Sequence, residues 1–144
     1  MFQRILIFIL LVCTSASALP TIQLEDVQLL ASDAAEDDRF GIKVSISGDR
    51  AIVGAYNHDD NGSNSGAAYI YHFIDGQWNE EAKLLASDGI EDDEFGLTVS
   101  ISGDVAIVGA HGVDDNGQEA GAAYIYRLVD GSWIEETKLL ASDG

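Results

Sequence analysis

Shifted against itself by 55 residues, the chain repeats. Residues 29–83 and 84–138 are identical at 37 of 55 positions with no insertion, and the pentapeptide LLASD stands at 29–33, 84–88 and 139–143. Identity is densest in 46–55 against 101–110 and in 66–71 against 121–126. A tandem repeat of this length marks stacked supersecondary units, solenoids or propellers, in which each unit buries its apolar face only against a neighbour.

Inside one unit the pattern is strand and turn. Residues 43–47 alternate in character and are rich in β-branched side chains, as a half-buried strand requires. Ser47-Gly48-Asp49 is turn chemistry, and 51–55 (AIVGA) is a short apolar strand returning antiparallel to the first. Residues 67–74 predict a third strand, with Tyr69 and Tyr71 on one face and Ile70 on the other. Asp75-Gly76 is a hairpin signal, and 78–85 reads as the fourth strand. No stretch sustains a 3.6-residue apolar period with caps, so helix is expected only in the leader described below.

Four antiparallel strands per unit, in tandem, describe the blades of a β-propeller. The expected fold is therefore all-β: two four-stranded blades plus an N-terminal strand, an incomplete ring. Residues 23–30 (QLEDVQLL) align with 133–140 (WIEETKLL), which predicts that a lone fourth strand precedes the first blade. The organisation expected is 1–18 leader, 19–33 N-terminal strand, 34–88 first repeat, and 89–144 second repeat with the start of a third. The third LLASD and one glycine end the sequence, which reads as two blades cut from a longer protein.

The leader has the parts of a secretory signal. Arg4 is followed by eight apolar residues, 5–12, and Ala16-Ser17-Ala18 supplies the small residues of a cleavage site after Ala18. The apolar run falls short of the roughly 20 residues that span a bilayer, so no membrane insertion is expected after cleavage. A membrane anchor, a buried strand, or a lipid anchor at Cys13 are the alternatives; Leu10-Leu11-Val12 lacks the small residue that lipid modification uses beside the cysteine. Cleavage removes the chain's one cysteine. The secreted remainder would then be held by packing and backbone ladders, without disulfides. With 25 acidic and 7 basic residues, a net charge of −18 excludes nucleic acid as a partner, and it favours solvated loops and attraction of cations.

The pairing of Phe40-Gly41 with Val53-Gly54-Ala55, and of Phe95-Gly96 with Val108-Gly109-Ala110, resembles the FG-GAP repeat. That repeat builds the seven-bladed propeller of integrin alpha chains, and GAAYIY is similar to its glycine-led aromatic strand. Tyr56 and His111 stand where the proline of GAP would be. The calcium loop that integrin-type repeats carry between FG and GAP has no room in residues 42–52, which hold a tight Ser-Gly-Asp turn. The resemblance thus implies a bacterial-type secreted propeller repeat rather than an integrin ligand-binding head. Its role would be a non-catalytic extracellular binding or adhesion scaffold.

An acidic loop does follow the GA element. Asn57, Asp59 and Asn61 precede Gly62, and Asp114 and Asn116 precede Gly117, with Gly112 in place of the first donor. Alternate oxygen donors before a glycine suit calcium, which takes six to eight oxygens. The same residues form Asx turns without any metal, and both readings stand. The clusters Glu36-Asp37-Asp38 and Glu91-Asp92-Asp93 precede each FG as solvated connectors, or as an ion bridge to a neighbouring blade. His58, His72 and His111 fall on Val113, Arg127 and Tyr56 in the other repeat, and no acid, base and nucleophile set converges, so no catalysis is expected. Trp78, Trp133 and the four repeated tyrosines read as core, or as a sugar-binding surface. The alternatives to a protein- or carbohydrate-binding scaffold are a calcium-dependent structural module and the accessory domain of an extracellular enzyme. Open blade faces would also favour self-association.

Overall fold

The computed structural model describes residues 28–142. Eight strands form two four-stranded antiparallel sheets, each in simple sequential order. The first holds β1 (Val44–Ser47), β2 (Arg50–Ala55), β3 (Ala67–Ile74) and β4 (Gln77–Leu84). The second holds β5 (Phe95–Ser102), β6 (Val105–Ala110), β7 (Ala122–Val129) and β8 (Ser132–Leu140). No helix occurs among the described residues, and none there is long and apolar enough to cross a membrane. All four expected strands of each unit are present, with ends within a residue or so of the expectation. The expected leader and most of the N-terminal strand lie outside the described residues; Gln28, Leu29 and Leu30 carry no strand.

Local chemistry explains the turns. Asp75 and Gly76 have φ of 53° and 82°, and Asp130 and Gly131 have 49° and 81°. Positive φ at both central residues is the type I′ turn, whose twist matches that of the flanking strands. At the first hairpin of each blade only Gly48 and Gly103 have positive φ, the pattern of a type II′ turn. Each outer hairpin also carries a bulge, between Ile70 and Tyr71 and again between Ile125 and Tyr126. The unmatched residues, Glu81 and Glu136, sit in the doubled Glu-Glu of β4 and β8. A bulge re-aims a side chain, and Glu81 is turned to join Arg50 Nε (2.9 Å) and, from the other sheet, Trp133 Nε1 (3.0 Å).

The sheets are stacked, with the main core between them. Ile52, Ala68 and Ile70 of the first sheet meet Phe95, Ile101 and Val108 of the second in one cluster. Tyr69 and Tyr71 turn the other way, onto Phe40, Ala31 and Leu29, so the alternation expected of the third strand holds. Tyr124 and Tyr126 are buried like them, which settles these tyrosines as core. The FG phenylalanines repeat one geometry: Phe40 lies edge-on to Tyr69 (5.6 Å), and Phe95 to Tyr124 (5.4 Å).

Glycine sets how close the sheets come. A Cβ built on Gly54 would lie 2.0 Å from the carbonyl oxygen of Gly96, and one on Gly66 2.0 Å from that of Phe95. These contacts are backbone against backbone, so no side-chain rotation relieves them. Gly109, the counterpart of Gly54, would meet only the Thr98 hydroxyl at 2.3 Å, a group that can rotate away. G54A is therefore expected to destabilise the chain by about 1–3 kcal/mol, the range for overpacking a core. G109A is expected to cost clearly less in the same urea titration, and equal losses would refute this account of the glycine contact.

Candidate functional site: the seam between blades and its acidic loops

The repeated LLASD becomes a seam in which each residue has a partner. The Leu30 carbonyl accepts from the Tyr71 hydroxyl at 2.8 Å, and the Leu85 carbonyl from Tyr126 at 2.7 Å. Ala31 and Ala86 are buried. Ser32 donates through its backbone N–H and its hydroxyl to the two carboxylate oxygens of Glu80, both at 2.8 Å. Ser87 does the same to Glu135, at 2.9 and 2.8 Å. The bidentate grip uses both carboxylate oxygens and so fixes orientation as well as distance.

The aspartate of the seam meets a lysine. Lys83 Nζ lies 2.6 Å from Asp33 Oδ2 and 2.5 Å from Asp60 Oδ2, and 5.7 Å from the centre of the Tyr69 ring. In the second blade Lys138 Nζ lies 2.7 Å from Asp88, 2.6 Å from Asp115 and 5.3 Å from the Tyr124 ring centre. The Tyr69 and Tyr124 hydroxyls donate to the remaining oxygens of Asp33 and Asp88, at 2.7 and 2.8 Å. The hydrogen bond from Lys83 is the largest influence on Asp33 and Asp60, and it holds both below the ordinary aspartate value of 3.8. Lys138 does the same to Asp88. Burial opposes the charge on Lys83, but its two aspartate bonds outweigh that and raise its pKa. Burial, then the contact with Asp33, pushes the Tyr69 phenol well above its usual range.

One metal-competent donor group emerges among the described residues: Asp33, His58 and Asp60, with one ligand atom from each within 4.8 Å of the others. The Lys83 ammonium stands among them, 2.7 Å from His58 Nε2. It supplies within the chain the positive charge that a bound cation would bring. His58 is buried where the second repeat has Val113, also buried, so the donor group does not recur in the second blade. Its Nδ1 lies 3.2 Å from Asp38 Oδ2 without forming a hydrogen bond.

The loop residues read from sequence as oxygen donors have other partners. Asp59 Oδ1 accepts the Asn64 N–H at 2.8 Å, and Asp114 Oδ1 accepts the Glu119 N–H at 2.6 Å. The Asn61 amide donates to the Ala86 carbonyl at 3.5 Å, and that of Asn116 to the Ala141 carbonyl at 2.6 Å. Asn57 lies half-buried, its N–H 3.4 Å from the Asp38 carbonyl. The two aspartates thus cap their own loops, and Asn61 and Asn116 tie each loop to the LLASD that follows. The connector clusters are solvated at Glu36, Asp37, Glu91 and Asp92, but not at their last residue. Asp38 and Asp93 are buried and cap the N–H groups of Ala35 and Ile90, at 2.7 and 2.9 Å. The bridge to the neighbouring blade is a hydrogen bond, from the Asn64 amide to Asp92 at 2.9 Å.

Two stacked four-stranded antiparallel sheets, joined by a seam and left unclosed, are consecutive blades of a β-propeller-type repeat module. The family model of the FG-GAP repeat matches residues 24–71 and 78–126, and the chain belongs to that family. The second matched segment runs from β4 through the seam into β7, so the family's unit straddles two blades. No curated protein matches the chain.

The lysine clamps make stability depend on acid in a defined direction. A carboxyl whose native pKa is depressed contributes stability above its unfolded value, lost as pH falls through the native value. Asp33, Asp60 and Asp88 are of this kind, while burial raises Asp93 and works the opposite way. The melting temperature is expected to fall once pH drops below about 3.8, the unfolded aspartate value. K83M is expected to cost up to about 1 kcal/mol at neutral pH, the scale of a partly exposed ion pair. It should also shrink the acid-induced loss, which thermal melts of both proteins across pH 2–7 would read.

Proposed function

We infer that this chain is a secreted, non-catalytic propeller module that binds a basic extracellular protein through its loop edge. One observation carries the reading. The carboxylates that recur at the seam are neutralised by lysines, whereas a cavity of about 460 Å³ on the second blade is ringed by acid with no lysine or arginine in its lining. Glu91, Asp92, Glu94, Asp114 and Glu119 line it, together with His111. Such a concave acidic surface attracts and orients a cationic partner, and the −18 charge of the whole chain adds long-range steering. The leader pattern at 1–18 supports export, and the absence of any lysine or arginine from the cavity lining argues against phosphate or nucleic acid there.

The test has two arms. Expressed with its own leader, the chain is expected in the medium with Leu19 as first residue; retention in the cell with Met1 intact would overturn the secretory part. On surfaces coated with basic or acidic proteins of similar size, retention is expected on the basic ones only. It should weaken several-fold in E91Q/D114N and fade with salt, as exposed charge pairs do. Retention indifferent to salt and to that variant would overturn the binding part.

Calcium is the second reading, favoured by the same acidic cavity, in which Asp114 contributes a loop carboxylate. If the loops are held by their own hydrogen bonds and the lysine clamps, millimolar calcium leaves the melting temperature unchanged. An upward shift that saturates with calcium would establish the ion reading instead, because a ligand bound only by the folded chain must stabilise it.

A further inference from the structure

Identical residues in the two blades have opposite environments, and the differences map two complementary surfaces. Ile101 is 5% exposed against the first blade, while its counterpart Ile46 is 66% exposed. On the other side, Ile52 is fully buried by the second blade, while its counterpart Ile107 is 39% exposed. The first blade therefore presents an unpartnered copy of the surface that the second blade uses to dock. The second presents an unpartnered copy of the surface that receives it. Among the described residues nothing covers either.

Both surfaces keep the docked backbone. At the occupied junction Asp92, Glu94 and Gly96 hold φ of 65°, 54° and 93°; at the free end Asp37, Arg39 and Gly41 hold 68°, 60° and 92°. On the receiving side Asn64 and Gly66 have φ of 53° and 85°, and their free counterparts Glu119 and Gly121 have 53° and 75°. The hydrogen-bonding groups recur as well. The junction bonds Ile101 and Gly103 N–H to the Ser45 and Ser47 hydroxyls, both at 3.3 Å, and Trp133 to Glu81. Ser100 and Ser102 stand at the equivalent receiving positions, as does Glu136, which is held by Arg127 (2.9 Å) as Glu81 is held by Arg50.

The repeats differ where charge decides the partner. Inside the chain the Glu94 N–H meets the Asn64 carbonyl at 2.9 Å, so these two residues are neighbours across the junction. Their free counterparts are Arg39 on the docking face and Glu119 on the receiving face, which are of opposite sign. Arg39 already leans to Asp37 at 3.8 Å, and so lies where it can also neutralise an incoming Glu119.

We propose that the receiving face of the second blade is occupied by the first blade of another copy of this chain, head to tail. Phe40-Gly41 of that copy seats on Gly109 and Gly121 as Phe95-Gly96 seats on Gly54 and Gly66, and Arg39 faces Glu119. Such an interface is heterologous, so it closes into a ring or runs on as a filament. Rings of two, three or four copies would hold about four to eight blades, the usual propeller range.

Sedimentation velocity and native mass spectrometry of the full chain test this, with circular dichroism as the check on folding. The wild-type chain is expected to assemble reversibly into closed species of two to four copies. R39E places at position 39 the residue that its counterpart Glu94 already is, so the fold should survive while assembly weakens at least tenfold. The swap R39E/E119R is expected to restore assembly. G109A, which puts a methyl group where the incoming glycine carbonyl must sit, should block assembly while leaving the monomer folded. A wild-type chain that stays monomeric at ~100 µM, about a hundredfold above a Kd of roughly 1 µM, would overturn the proposal, whatever else covers these faces. Assembly unaffected by R39E, or unrestored by the swap, would overturn the head-to-tail geometry. Failure of the basic-partner reading leaves this inference untouched: both involve Glu119, but E91Q/D114N changes neither Arg39 nor Glu119, and retention on a coated surface and assembly in solution are separate readouts.

Discussion

The fold depends on a backbone contact that no side chain other than hydrogen could allow. Gly54 lies under the carbonyl of Gly96, and Gly66 under that of Phe95, closely enough that a single methyl group on either would overlap the neighbouring chain. This approach lets Phe95 reach the tyrosine face of its own blade while its backbone bonds to the blade before it, with the Phe95 N–H 3.1 Å from the Ser65 carbonyl. The FG and GA elements are then two halves of one contact. The FG of a repeat seats on the GA of the preceding repeat, while the family's second matched unit joins the last strand and seam of one blade to the FG and GA of the next.

The seam answers a second constraint, set by charge. A chain with 25 acidic and 7 basic residues must place its cations where carboxylates are forced together. Lys83 and Lys138 stand where a seam aspartate and a loop aspartate converge, over a tyrosine face that favours a cation. The geometry resembles a small ion site, with an ammonium in place of the ion. A tethered ammonium needs no coordination shell of six or more oxygens, so the loops are free to spend Asp59 and Asp114 on their own turns.

Strands and turns were legible because they are written in short-range signals. β-branched alternation, Asp-Gly and Ser-Gly-Asp each act within a few residues, and all eight strands appear where those signals stand. The seam was half legible: its recurrence was plain, but its partners lie 41 to 50 residues away in Tyr71, Glu80 and Lys83. The doubled glutamates at 80–81 and 135–136 were a visible trace of the bulges, yet only the strand register shows that one of each pair is unmatched. The Asn and Asp loop residues were read by type and spacing alone, and spacing cannot say whether a carboxylate oxygen turns outward or caps its own loop.

Burial is the property that local sequence least determines here. Ile46 and Ile101 have the same neighbours in sequence and the same register, and differ from exposed to buried because, among the described residues, only Ile101 has a blade packed before it. The same logic constrains which surfaces can meet. If the second blade's docking face met the receiving face of another second blade, Glu94 would stand against Glu119, and like charges facing at short range disfavour that order. Arg39 against Glu119 favours the alternation of first and second blades. Within a near-identical repeat the hydrophobic contacts are the same for every pairing, so they supply adhesion but no order. The order must come from the few positions at which the repeats differ, and here those positions include both sides of the junction.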